Sequence, residues 1–134
     1  MTKRTLGCLA VFLCLTATAT LLAHHSLAGV YDMKSEKEVS GTLKSIKFVN
    51  PHGTMTVTVT GADGTPVDWI LSMGSATSLA QRGVGSTGAN ALRFGDPVKV
   101  KFIPATNGSP LGFLKTITYA DGHVVVVSAG GPND

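Results

Sequence analysis

Apolar and polar positions alternate with a period of two along most of this chain. Met55, Val57 and Val59 alternate with Thr54, Thr56, Thr58 and Thr60, a pattern that predicts a strand rich in β-branched residues. The segment 39–49 before it is also extended in character, but its apolar phase changes between Leu43 and Ile46, as a bulge or a strong bend requires. Val67, Trp69 and Leu71 share one face of a third predicted strand. Asp63-Gly64 joins it to the second through a tight hairpin, of the kind in which both central residues take positive φ. Ser75 is placed to cap a short helix reaching about Arg82, with Ala76, Leu79 and Ala80 on one side and Gly83 at its end. A loop from Gly83 to Asn90 follows. Val98, Val100 and Phe102 then alternate with Lys99 and Lys101 up to Pro104. Beyond the turn at Asn107-Gly108-Ser109-Pro110, a fifth strand is expected to carry Phe113, Ile117 and Tyr119 on one face. Asp121-Gly122 turns it tightly into 123–128.

Three strands, a helix and two or three further strands make a mostly all-β protein. That order predicts a small OB-like Greek-key barrel of five to six strands, with one short helix between the third and fourth. A β-sandwich or β-meander is the competing arrangement. The predicted domain covers 24–129, and 130–134 is expected to fray as a flexible tail.

The chain has 134 residues and a formal charge of +3. Lys3 and Arg4 precede an apolar run from Leu6 to Leu15 that is too short to span a bilayer as a permanent anchor. This is signal-peptide anatomy, so 1–23 is read as a signal peptide with cleavage after Ala19 or Ala23. Cys8 and Cys14 both lie within it. A chain starting near His24 would therefore hold no thiol, which excludes disulfides, thiolate metal sites and cysteine nucleophiles. It would keep nine of the eleven basic residues against eight acidic ones. That near-neutral balance argues against a nucleic-acid partner. The expected location is periplasmic or secreted, with no membrane association after signal cleavage.

His24-His25-Ser26, Tyr31-Asp32, Gly41, Asn50-Pro51-His52, Trp69, Gly74-Ser75, Leu79, Arg82-Gly83, Gly95-Asp96-Pro97-Val98 and Asp121-Gly122 lie along most of the predicted mature chain. Together they resemble a family of small exported proteobacterial proteins of unknown function. Ser72, Ala76 and Leu21 depart from that family's pattern, which has an acidic residue, a proline and a small residue at these places. The resemblance implies a small exported domain and no established activity.

The candidate chemistry lies in the histidines. His24 and His25 stand at the predicted mature start, and His52 in the turn after the first strand. Neutral imidazole is the commonest metal ligand, and nitrogen donors without thiolate suit copper or zinc. His24, His25 and His52, with Asp32 as a further ligand, form the candidate metal site; Asn50 and Trp69 are candidate ligand contacts. The competing reading of Asn50-Pro51-His52-Gly53 is a type I turn with no function, of Trp69 a core residue, and of His123 an exposed strand position. Gly83-Val84-Gly85-Ser86-Thr87-Gly88 spells a dinucleotide fingerprint, but it follows a helix where the fingerprint follows a strand. No G-x-S-x-G or H-E-x-x-H occurs.

The sequence thus predicts a non-enzymatic exported binding protein, carrying copper or zinc at its amino-terminal histidines. The alternative is a protein- or glycan-interaction module with structural histidines. An unpaired edge in the Val124–Val127 run would suit a homo-oligomer or an envelope-protein partner.

Overall fold

The computed structural model describes residues 29–128. Its strands are β1 (Lys37–Lys47), β2 (Thr54–Thr60), β3 (Pro66–Ser72), β4 (Val84–Gly85), β5 (Asn90–Ala91), β6 (Pro97–Pro104), β7 (Leu111–Thr118) and β8 (Val124–Val126). Helix α1 (Ala76–Gln81) lies between β3 and β4. The first half of β1 pairs antiparallel with β6 and its second half with β2. β2 pairs with β3, and β6 with β7. The ring closes where β3 and β7 run parallel, Ile70 opposite Leu111 and Ser72 opposite Phe113. Five strands therefore form a closed mixed barrel of OB-like topology, and β8 is an additional strand on β7. Closure on a single sheet excludes the sandwich and the meander.

The expected phase change in β1 is a bulge. Leu43 faces Val57 and Ser45 faces Thr56, so Lys44 is the extra residue. Two residues earlier, Gly41 lets the bending strand approach β2. A Cβ there would collide with the Thr58 carbonyl oxygen and lie 2.8 Å from Val57 Cγ1.

A second bulge corrects the expected face of β7. Phe102 pairs with Leu114 and Lys101 with Thr116, leaving Lys115 as the extra residue. Leu114 and Ile117 therefore enter the main core, while Phe113 joins Tyr31 and Ile103 in a separate cluster. Phe113 and Ile117 do not share a face. The main core holds Leu43, Met55, Val57, Leu71, Val98, Val100 and Phe102, joined by Leu79 from α1. Val59, Trp69 and Tyr119 pack half-buried at its margin. Val67 is half-buried and belongs to neither cluster.

The helix follows its sequence signals. Ser75 Oγ accepts from Ser78 N at 3.1 Å, Arg82 forms the C-cap, and Gly83 has φ +75°. The turns differ in one respect: Gly64 and Gly122 have positive φ, but no non-glycine residue among those described does. Asp63 and Asp121 instead use their carboxylates to accept the backbone N–H two residues on, the Asx arrangement. The segment expected as a plain loop contains β4 and β5, which pair in parallel with each other.

Candidate functional site

The β1–β2 loop carries Asn50, Pro51 and His52. In place of a type I turn, residues 50 and 51 form a bend and the Asn50–Pro51 peptide bond is cis. Asn50 Oδ1 accepts from Ala76 N at 3.1 Å, and Val49 O accepts from the same N–H at 3.3 Å, so this loop satisfies an N–H at the start of α1 that has no partner within the helix. Gly53 binds the other side of the same junction, donating to Gly74 O and accepting from Met73 N. His52 is exposed and makes no hydrogen bond to another described residue.

Asp32 is committed locally. Its carboxylate accepts from Ser35 Oγ at 2.5 Å and from Lys34 N at 3.2 Å. The Ser35 bond, then the Lys34 backbone bond, holds it below the usual carboxylate range. The arm containing Asp32 lies along the barrel wall. Asp32 N donates to Pro104 O, Thr106 N donates to Val30 O, and Tyr31 bridges Ala105. Tyr31 Oη donates to Ser72 Oγ at 3.1 Å, and Ser72 is the register partner of Thr54, two residues from His52.

Trp69 packs against Phe102 with ring centroids 4.9 Å apart and planes tilted by 45°, and Lys37 Nζ stands 5.1 Å from its ring centroid. Four of the six strand lysines are paired with carboxylates: Lys44 with Asp68, Lys99 with Glu38, and both Lys101 and Lys115 with Glu36. Asp68 also accepts from Thr58 Oγ1 at 2.7 Å, and Lys44 first, then Thr58, lowers its pKa. This pattern describes solvated strand faces with their charges balanced.

The candidate metal ligands are not assembled among the described residues. His24 and His25 lie outside them, and no group of three potential metal-binding side chains occurs within them. Asn50 and His52 share one loop. Asp32 and Trp69 have partners of their own, and none of these pairings includes the other, Asn50 or His52.

The concave feature of the wall lies where β6 begins and the β7–β8 hairpin turns. A recess of about 280 Å³ has Pro97, Val98, Tyr119 and Ala120 in its lining, together with the acidic Asp96 and Asp121 and with His123. A shallower depression of about 220 Å³ shares that apolar lining and continues toward Ser40 and Lys99. His123 is half-buried and held from three sides, which corrects the exposed position expected for it. Its Nδ1 lies 2.5 Å from Asp121 Oδ1, its Nε2 lies 3.0 Å from Asn90 Oδ1, and its ring stacks on Tyr119 at 4.2 Å and 13°. A protonated ring donates to both oxygens; a neutral ring keeps the Asp121 bond and meets Asn90 through its amide nitrogen. Bonds from the His123 backbone N–H and ring hold Asp121 below the usual carboxylate range. Tyr119 Oη donates to Asn90 O at 3.0 Å. Burial, aided by the Asp96 carboxylate, pushes its phenol pKa up, so the hydroxyl stays protonated and keeps that bond.

A rigid turn projects beside this recess. Asp96 accepts from Arg93 N through its side chain at 2.8 Å and donates from its own N–H to Arg93 O. The turn is fastened to the β1 bulge by Gly95 N to Leu43 O and Leu43 N to Asp96 O. At its tip Phe94 is 82% exposed. The sequence run Tyr-Ala-Asp-Gly-His carries the local half of the His123 arrangement, through the carboxylate two residues before the imidazole. Asn90 has no such signal. The prominence of Phe94 was also hidden, because an isolated Phe in a polar turn reads equally well as a core residue.

A family model matches residues 11–115, and it describes a family of unknown function (DUF6152). No curated protein and no solved structure matches the chain.

Proposed function

For a chain that belongs to this family of unknown function, we propose the role of an exported binding module without catalytic activity, which docks a polypeptide partner on the wall formed by the recess and the Arg93–Asp96 turn. The observation that carries this reading is Phe94, 82% exposed on a turn held by backbone bonds on both sides. A large apolar side chain presented rigidly beside an apolar hollow has the form of an interface anchor, because little conformational freedom remains to be lost on docking. The recess walls suit binding better than proton transfer. Both nitrogens of His123 are engaged by Asp121 and Asn90, and the Tyr119 hydroxyl is engaged by Asn90.

Export rests on the charged and apolar leader. Intact mass of the protein recovered from the producing cell tests it: a start between Thr20 and His24 is expected, and a mass retaining Cys8 or Cys14 would overturn it. The docking reading is tested by a photo-crosslinking amino acid at position 94. A defined protein adduct is expected, and no adduct in cells or with purified protein would overturn it.

A second reading, copper or zinc held by His24, His25 and His52, is favoured by the placement of the arm. Tyr31 is bonded to Ser72 beside the strand end that leads to His52, and the six residues back to His25 span at most roughly 20 Å. Asp32 is already engaged by Ser35, so the nitrogen donors form the ligand set. Binding at one equivalent, weakened by acid because ligation needs deprotonated nitrogens and weakened again by His52→Ala, is expected on titration. Equal affinity in His52→Ala would reduce it to chelation by the arm alone.

A further inference from the structure

The Arg93–Asp96 turn and the recess beside it are complementary in both charge and apolar character. The turn presents a basic and an aromatic side chain, Arg93 and Phe94, both exposed. The recess presents apolar walls, Pro97, Val98 and Ala120, and two carboxylates, Asp96 and Asp121. Asp121 uses Oδ1 for His123, and Asp96 uses Oδ2 for Arg93 N. One oxygen of each is left without a hydrogen bond among the described residues.

We propose that the docking partner is a second copy of this chain, with Arg93 and Phe94 of each subunit entering the recess of the other. The proposal rests on the reading of this wall as a docking surface and names its occupant. Only Gly95 separates Phe94 from Asp96, so projection and hollow lie side by side. Surfaces so placed can satisfy each other twice around a two-fold axis, each projection filling the opposite hollow. A volume of about 280 Å³ is ample for one phenyl ring with the end of an arginine alongside. The guanidinium can donate to the remaining oxygen of either carboxylate. Nine basic and eight acidic residues from position 24 onward leave little net charge to keep two copies apart.

A charge exchange tests this on protein purified from cells that produce it, by sedimentation equilibrium. The parent is expected to be a dimer. Arg93→Glu places two like charges at each contact and is expected to be monomeric; Asp121→Arg does the same with the opposite sign. An equimolar mixture of the two variants is expected to recover the dimer, because both contacts then join unlike charges. Phe94→Ser should weaken the parent dimer by about a hundredfold, each dimer losing two buried phenyl rings. Circular dichroism and melting of each variant establish that it is folded before it is scored.

A monomeric parent at millimolar concentration, or folded variants that stay dimeric alone, would overturn the proposal, as would a mixture that fails to pair. Crosslinking from position 94 separates this failure from failure of the docking reading. An adduct of twice the chain mass supports the self-pair. An adduct with a different protein overturns the self-pair and leaves the docking surface standing. No adduct overturns both.

Discussion

His52 and His123 both sit in connections between strands of one barrel, yet their surroundings have little in common. In the β1–β2 loop the structural work falls to Asn50, which binds Ala76 N at the start of α1, while His52 is exposed. In the β7–β8 hairpin the histidine itself is the clamp. His123 joins Asp121 of its own turn to Asn90 of a segment thirty-three residues away and stacks on Tyr119. The motif that stood out in the sequence, Asn-Pro-His, leaves its imidazole without a partner among the described residues, and the histidine outside that motif is tied down. The contrast teaches that a histidine's role depends on which acceptors the fold brings to its two nitrogens, and local sequence supplies at most one of them.

The largest effect that sharpens this contrast should come from His123→Ala. It removes the bonds to Asp121 and Asn90 together with the stack on Tyr119, so a loss of about 2 kcal/mol is expected in urea unfolding. Asn50→Ala comes next, at about 0.5 to 1 kcal/mol, because it removes the side-chain acceptor of Ala76 N and leaves that N–H only its longer bond to Val49 O. A loss at Asn50 larger than that at His123 would reverse the ranking of the two clamps.

Acidification gives a smaller and more distributed effect. Asp32, Asp63, Asp68 and Asp121 all have pKa values lowered from 3.8 by hydrogen bonds in the folded state. A lowered folded-state pKa stabilises the fold above the unfolded value, and that contribution is lost as pH falls through the folded one. Stability should therefore be level in this respect above about pH 4 and decline below it. Asp121→Asn should shallow that decline, measured as melting temperature against pH; an unchanged slope would mean that the His123 contact contributes nothing to it. Smallest of all, His52→Ala should change stability by less than about 0.5 kcal/mol, as for a surface position. A loss near that of His123→Ala would break the comparison outright.

Much of the fold was legible because its signals are local. The alternation in 54–60 and 97–102, the Ser75 cap and the helix-ending Gly83 each depend on a few neighbouring residues, and each is found where the sequence puts it. The face assignment of β7 failed for a definable reason. A single extra residue at Lys115 inverts the parity of everything beyond it, so Phe113 and Ile117, four apart, lie on opposite sides. The equivalent bulge at Lys44 was visible because apolar residues on both sides record the slip. Around Lys115, Leu114 and Phe113 are both apolar, and the record is ambiguous.

By itself, then, the sequence determined the strands of the six-stranded sheet, the helix and the order that makes an OB-like barrel the natural closure, since periodicity and capping are properties of contiguous residues, while β4 and β5 carried no such signal. Tertiary structure alone decided the parallel seam between β3 and β7, the separate cluster of Tyr31, Ile103 and Phe113, and the meeting of Asn90 with Tyr119 and His123. It also decided that Phe94 stands outside the core, on a turn fastened to Leu43. These depend on contacts between residues tens of positions apart, whose geometry is set by how far the sheet twists and where its bulges fall.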